Sequence, residues 1–324
     1  MTNEVPYAPS VALIAYEGAQ QSALHGLGEM FDVANGHADS GGGRVIRHRL
    51  LTPLSLEDAD GFDAIVLPPN LTGKRGAADL QLHEWLRRQH DAGTTMCSVC
   101  AGSFWLGHAG VLDGRPATTH WALEADFRSI FPEVDLKPEH ILIDDNDIVT
   151  AGGIMAWTDL GLHLIGRWLG PSVVSRTCRQ MLIDPTGREQ QNYRTFRPDM
   201  THKDDSIRAL QLWMASNIEA DLSVGKLSHL AGLSERSLHR RFSKATGLSV
   251  NRYVQELRVE RAKGLLELTA LSVNAVCWQV GYHDVPAFSR LFKSASGVSP
   301  GEYRHRFRIT SPQLENGRHA ARSR

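Results

Sequence analysis

The stretch "MCSVCAGSFWLGHAG" (residues 96–110) changes character twice. With the preceding Thr94-Thr95 it begins as a short apolar run, which reads as a buried strand. Ala101-Gly102 reads as a tight turn, and "SFWLGHAG" as a short helix that stops at Gly110. Cys100 falls on the corner. An α/β enzyme can hold a nucleophile at such an elbow, and a binding protein can use the same place as a pocket wall. What surrounds Cys100 decides between the two.

Outward from this stretch, strand and helix signals alternate. "SVALIAY" (10–16) is a strand, followed by a helix with Leu24, Leu27, Phe31 and Ala34 on one stripe. "RHRLLT" and "DAIVLP" (63–68) are further strands, and "LQLHEWLRRQHDAG" is a helix closed by Gly93. Downstream, "HILIDDNDIVTAGG" reads as a hairpin turning at Asp145-Asn146. A helix with Trp157, Leu160, Leu164 and Trp168 at helical spacing follows it. This alternation predicts an α/β domain over 10–185, with a parallel sheet sandwiched by helices.

The polar, proline-containing stretch 186–204 reads as a linker. Beyond it strand signals stop and an all-α domain is expected over 205–309, with 310–324 a disordered tail. The whole chain has 324 residues and a net charge of −1, but the charge is unevenly placed. Residues 1–200 carry −9 and residues 201–324 carry +8. A basic half joined to an acidic half points to an anionic polymer as partner for one half only. Four scattered cysteines indicate reduced thiols in a cytoplasm. No signal peptide is legible, and no apolar run nears the roughly 18 residues of a membrane span.

The basic half contains a repeat. "LSVGKLSHLAGLSERSLHRRFSKATGLS" (222–249) matches "LSVNAVCWQVGYHDVPAFSRLFKSASGVS" (271–299). Each copy reads as helix, glycine-containing turn and second helix closed by glycine, which is the helix-turn-helix pattern. One continuous helix, "NRYVQELRVERAKGLLELT" (251–269), separates them. In the first copy Leu238 and Phe242 face the core, leaving Arg236, His239, Arg240, Arg241 and Lys244 outward. In the second, Phe288 and Phe292 face the core, and the same register exposes Val285, Pro286, Ser289, Arg290 and Lys293. Arginine can read guanine bidentately, and an exposed Val285-Pro286 pair can meet a thymine methyl.

"GYHDVPAFSRLFKSASGVSPGEYRHRF" (281–307) resembles the C-terminal signature of AraC/XylS-type transcription regulators. The resemblance covers about 205–309. It implies seven helices, two recognition helices entering successive major grooves of double-stranded DNA, and RNA polymerase as a further partner. The family's base-contacting positions carry over to Arg236, His239 and Arg240, and to Val285, Pro286, Ser289 and Arg290. Val285-Pro286 departs from the polar residues common there.

The first half resembles the PfpI/ThiJ-like branch of the class I glutamine amidotransferase-like superfamily, in the GlxA-like subgroup fused to AraC-type domains. "SVCAGSFWLGHAGVLDGRPATTHW" (98–121) and "TAGGIMAWTDLGLHLI" (150–165) carry that likeness, which implies a flavodoxin-like fold. In enzymes of the superfamily a cysteine pairs with a histidine, here Cys100 and His120, and often with a glutamate after the first strand. In this chain that place holds Gln20, Gln21, Ser22 and Ala23, with no acid between Glu17 and Glu29. Cys100 and His120 are therefore expected to be vestigial, in a catalytically inactive domain without cofactor.

A metabolite site is expected at Asn70, Cys100, Ala101, Gly102, His120 and Trp121, and Trp157 is expected in the core. Cys97 and Cys100 form a Cys-x-x-Cys, but zinc needs two more ligands and no second pair exists. Redox sensing through Cys100 stays open. The expected function is an effector-responsive regulator, an activator by resemblance, working as a homodimer on a small effector, with nitrogenous metabolites the first class to test. The alternative is a cysteine-dependent hydrolase or amidase fused to a DNA-binding domain.

Overall fold

The computed structural model describes residues 7–38, 44–56, 59–184 and 188–308. The expected tail, 310–324, lies outside the described residues. The chain divides into two compact units, Met1–Gln191 and Asn192–Arg324.

The first unit runs β1 (Ser10–Ile14), α1 (Gln21–Ala38), β2 (Arg47–Leu51), β3 (Ala64–Leu67), α2 (Leu80–Asp91), β4 (Thr95–Val99) and α3 (Ser103–His108). It continues with β5 (Pro116–Ala117), α4 (Glu124–Ile130), β6 (Asp135–Leu136), β7 (Leu142–Asp145), β8 (Ile148–Ala151), α5 (Trp157–Leu169) and α6 (Pro171–Met181). Six strands form one sheet in the order β2-β1-β3-β4-β8-β7. Every pair is parallel except the β7–β8 hairpin, whose turn holds Asn146 at φ 65°. The central strands β3 and β8 are buried at every residue, as strands covered on both faces must be. Leu24, Leu27, Phe31 and Ala34 form the buried stripe of α1, which packs on α5 and α6. Trp157, Leu160 and Leu164 of α5 join that core, whereas Trp168 is only partly buried. The two-residue strands β5 and β6 escaped the periodicity reading because they are too short to show a period.

The sheet order positions the site. From β1 the chain passes to β2 on one side, and β3 then pairs on the other. This reversal leaves a crevice outside the carboxyl ends of β1 and β3, beside that of β4. Cys100 follows β4 directly, at φ 54°. That is the left-handed region, where a side-chain-bearing residue is uncommon. Gly102 lets the elbow approach β3: a Cβ there would lie 2.3 Å from the Leu67 carbonyl oxygen.

The second unit contains α7 (Asp205–Ser216), α8 (Val224–Leu230), α9 (Glu235–Thr246), α10 (Val250–Leu268), α11 (Val273–Gln279), α12 (Val285–Ser296) and α13 (Pro300–Phe307). They build two separate cores. Leu227, Leu238, Phe242 and Tyr253 belong to the first, and Val276, Phe288, Phe292 and Tyr303 to the second. Helix α10 spans both, with Val250, Tyr253 and Val254 in one and Val259, Ala262, Leu265 and Leu266 in the other. The repeat extends to the helix ends. Gly247 and Gly297 close α9 and α12 at φ 72° and 78°, and Ser249 and Ser299 cap the helices that follow.

The expected linker makes contacts where it is described. Gln190 is buried in the first unit. In the second, Phe196 stacks edge-on against Tyr253, its N–H donates to Glu260, and Lys263 donates to the Arg194 carbonyl. Single anchors spaced through a polar stretch leave no periodicity to read.

Candidate functional site

Cys100 is 4% exposed, and burial pushes its thiol up to about 11; a bond from the Ala101 backbone and the charge of Arg75 oppose the shift without cancelling it. The Cys100 carbonyl accepts from Ser103 Oγ at 3.0 Å and Thr119 Oγ1 at 2.9 Å. Beside it Tyr16 stacks on Trp105, centroids 4.1 Å apart, and donates its hydroxyl to the Pro68 carbonyl. Burial, then Cys100 and Asp79, raise the Tyr16 hydroxyl well above its ordinary value. Trp105 Nε1 donates to Asp79 at 2.8 Å.

His120 is half-buried, and burial lowers its pKa. Its Nδ1 accepts from the Ala122 N–H at 3.1 Å, capping a short turn at 121–123. With Nδ1 as acceptor, the neutral ring carries its proton on Nε2. Among the described residues no hydrogen bond joins His120 to Cys100. In this geometry the histidine is engaged as a cap.

The remaining expected residues divide by environment. Ala101 and Gly102 are buried within the elbow. Asn70 is 7% exposed and works as a loop staple: Nδ2 donates to the Glu17 carbonyl, and Oδ1 accepts from both the N–H and hydroxyl of Thr72. Trp121 is half-buried against His120, centroids 5.2 Å apart. Sequence reading missed Thr119, which ties the Cys100 elbow to 118–121, and Tyr16. It noted Gln20 only for not being an acid. Gln20 donates to Ser22 at 2.8 Å, while its Oε1 is buried without a partner. A buried acceptor left unpaired is an opening for a donor group. A concavity of about 560 Å³ lined by Val174, Cys178 and Leu182 involves none of these residues.

On the second unit, Arg236, His239, Arg240 and Lys244 are exposed on α9 while Leu238 and Phe242 are fully buried. Arg241, expected outward, is held instead by Asp204, with Nε to Oδ2 at 2.8 Å and Nη2 to Oδ1 at 2.6 Å. Asp204 also caps α7 through the Ile207 N–H. On α12, Pro286, Arg290 and Lys293 are exposed and Ser289 is half-buried. Val285 is a correction: it is half-buried and packs against the second core, so it does not stand free beside Pro286. Val285 lies three residues before Phe288 and seven before Phe292, so α-helical register puts it on their buried face rather than the exposed one.

An α/β sheet with a strand-elbow-helix site, joined to paired helix-turn-helix motifs, defines a two-domain DNA-binding class. Comparison with known proteins agrees for both halves: residues 39–167 match the DJ-1/PfpI family and 227–306 a helix-turn-helix domain. The chain is similar to HTH-type transcriptional regulators over some two thirds of its length. It is 30% identical to the HTH-type transcriptional regulator GbdR of Pseudomonas aeruginosa over 68% of this chain and 60% of that protein. It is 29% identical to the HTH-type transcriptional regulator GlxA of Rhizobium meliloti over 69% of each chain. The solved AraC family transcriptional regulator from Pseudomonas putida matches 54% of this chain and 99% of its own, at 19% identity and TM-score 0.44. Among the described residues no helix is long and apolar enough to cross a membrane.

Proposed function

We propose that this protein regulates transcription by binding duplex DNA through α9 and α12, under control of a small metabolite bound at the carboxyl end of the sheet in its first unit. The observation that carries the DNA-binding half is the pair of recognition helices, each with exposed arginine, on separate cores joined by α10. Arg236, His239 and Arg240 read bases from the first copy, and Pro286, Ser289 and Arg290 from the second. The metabolite contacts Trp121 and His120 at the rim and the buried Gln20 acceptor within, beside Cys100, Ala101 and Gly102. A metabolite with an N–H donor suits that acceptor. The protein acts in the cytoplasm as a homodimer, which matches repeated half-sites, and meets RNA polymerase at the promoter.

Cys100 does no covalent chemistry in this reading. A thiol near 11 is ionised to roughly one part in ten thousand at pH 7, and the thiolate is the reactive form. The missing acid after β1 and the capping role of His120 support the same conclusion.

The test has two arms. Duplexes are selected from a random pool with the full chain. The log of their affinity should fall linearly with log salt, in proportion to the phosphates contacted; a pool that never enriches ends the DNA-binding reading. A thermal-shift screen against small nitrogenous metabolites addresses the first unit. Turnover of an amide or ester that Cys100→Ala abolishes would replace the sensor with an enzyme.

A further inference from the structure

Gln190 lies in the stretch expected to be a linker and is only 2% exposed. Its amide is bonded at both ends. Nε2 donates to the carbonyls of Thr119 at 2.8 Å and His140 at 2.9 Å and to the Thr118 hydroxyl at 3.1 Å. Oε1 accepts from the Trp121 N–H at 3.0 Å. The notch exists because residue 152 is glycine: a Cβ there would lie 1.8 Å from Gln190 Nε2. The flanking residues follow the same track. The Ile141 N–H donates to the Glu189 carboxylate at 3.0 Å, and the Gln191 N–H to the Glu139 carbonyl at 3.2 Å.

Segment 118–121 faces the candidate site as well. Thr119 Oγ1 donates to the Cys100 carbonyl at 2.9 Å and accepts from Ser103 Oγ at 2.9 Å. A continuous path therefore runs from the Cys100 elbow through Thr119 and Trp121 to Gln190. Two residues later, at Asn192, the second unit begins.

We propose that Gln190 is a latch coupling the site around Cys100, His120 and Trp121 to the segment that leads into the helix-turn-helix unit. The inference rests on the metabolite-site reading and adds the element that transmits its state. A buried amide bonded at both ends has two discrete positions, seated or withdrawn, because an intermediate one strands buried donors and acceptors. A ligand that moves the 119–121 backbone changes the fit of the seated amide. It shifts the balance only by its differential affinity for the two positions. Linkage makes the effect reciprocal, so DNA binding biases the latch in turn.

The test uses the full chain and needs no effector, so failure to find a metabolite leaves it intact. Gln190→Ala removes the amide, and Gly152→Ala evicts it from the notch. Both should raise hydrogen exchange at the Trp121, Ile141 and Gln191 amides at least about tenfold, while the amides of β3 and β4 keep wild-type protection and so report the intact fold. Both should also change affinity for a duplex selected by the wild-type chain about fivefold or more, in the same direction. The double variant should do no more than either single one, because both act by the same event. Unchanged exchange, unchanged duplex affinity or additive effects would each overturn the latch. If the wild-type chain selects no duplex, the DNA-binding reading falls. The latch is then refuted unless both variants speed exchange at 193–196.

Discussion

The two helix-turn-helix copies share a repeat but anchor their recognition helices differently. In the first, Arg240 is exposed and its neighbour Arg241 is held by a bidentate ion pair to Asp204, the cap of α7. In the second, the corresponding residues are Arg290, also exposed, and Leu291, which packs against the apolar core. Both copies carry the outward arginine, and the partly buried residue beside it is charged in one and hydrocarbon in the other. The first copy thus adds an ion pair to its apolar core where the second adds a leucine, and the two should respond differently to acid.

The largest effects should come from the cores. Phe242→Ala and Phe292→Ala each truncate a fully buried ring, at a cost of about 3–5 kcal/mol. Hydrogen exchange resolved by helix should show each loss centred on its own copy, reaching the other only through α10. Equal loosening of both copies by either change would mean that the cores form one cooperative block.

Next come the arginines proposed to read bases. Arg236→Ala, Arg240→Ala and Arg290→Ala should each cost about 1–3 kcal/mol of binding to a selected duplex and relax preference at one base pair. Val285→Ala should leave base preference unchanged and lower melting temperature instead, because Val285 packs inward. Loss of sequence preference in Val285→Ala would restore the methyl-contact role read from the sequence.

Acid should separate the copies more gently. The Arg241 guanidinium, with help from the Ile207 N–H, holds the Asp204 carboxyl below its ordinary value. A group with a lowered folded pKa stabilises fully above its unfolded pKa, about 3.9 for aspartate, and loses that contribution as pH falls through the folded value. Exchange of α9 amides should therefore rise before that of α12 as pH drops below about 4, and Asp204→Asn should remove the difference. Simultaneous loosening in Asp204→Asn and wild type would show that the ion pair is not the first copy's anchor.

The smallest effect belongs to the first unit. Cys100→Ala should fold and melt close to wild type, and alkylation of Cys100 should gain rate only as pH rises toward about 11. Rapid alkylation at pH 7 would show a thiolate that the described geometry does not stabilise.

The alternation of 10–165 made the α/β sheet legible because each central strand is an apolar run and each helix keeps a 3.6-residue stripe. The repeat made the paired motifs legible because a duplicated core must reuse the same apolar positions: Leu238 and Phe242 answer to Phe288 and Phe292. The candidate site was half legible. Cys100 and its elbow stand out locally, and the absence of an acid after β1 is visible by inspection. The Cys100–His120 pairing was not decidable, since a histidine beside Trp121 can serve a thiol or cap a turn, and only coordinates show that its Nδ1 faces the Ala122 N–H.

The sequence by itself determined the alternation of the main strands and helices of the first half and the duplicated helix-turn-helix pattern of the second. These follow from periodicity and composition, which are local properties of a chain. Tertiary structure alone decided that Arg241 is an anchor, that Asn70 staples loops and that Gln190 fills a notch floored by Gly152. Each depends on partners far along the chain, such as Gln190 meeting Thr118 across 72 positions. A residue's chemistry says which bonds it can make; the fold alone decides which partner is near enough to make them.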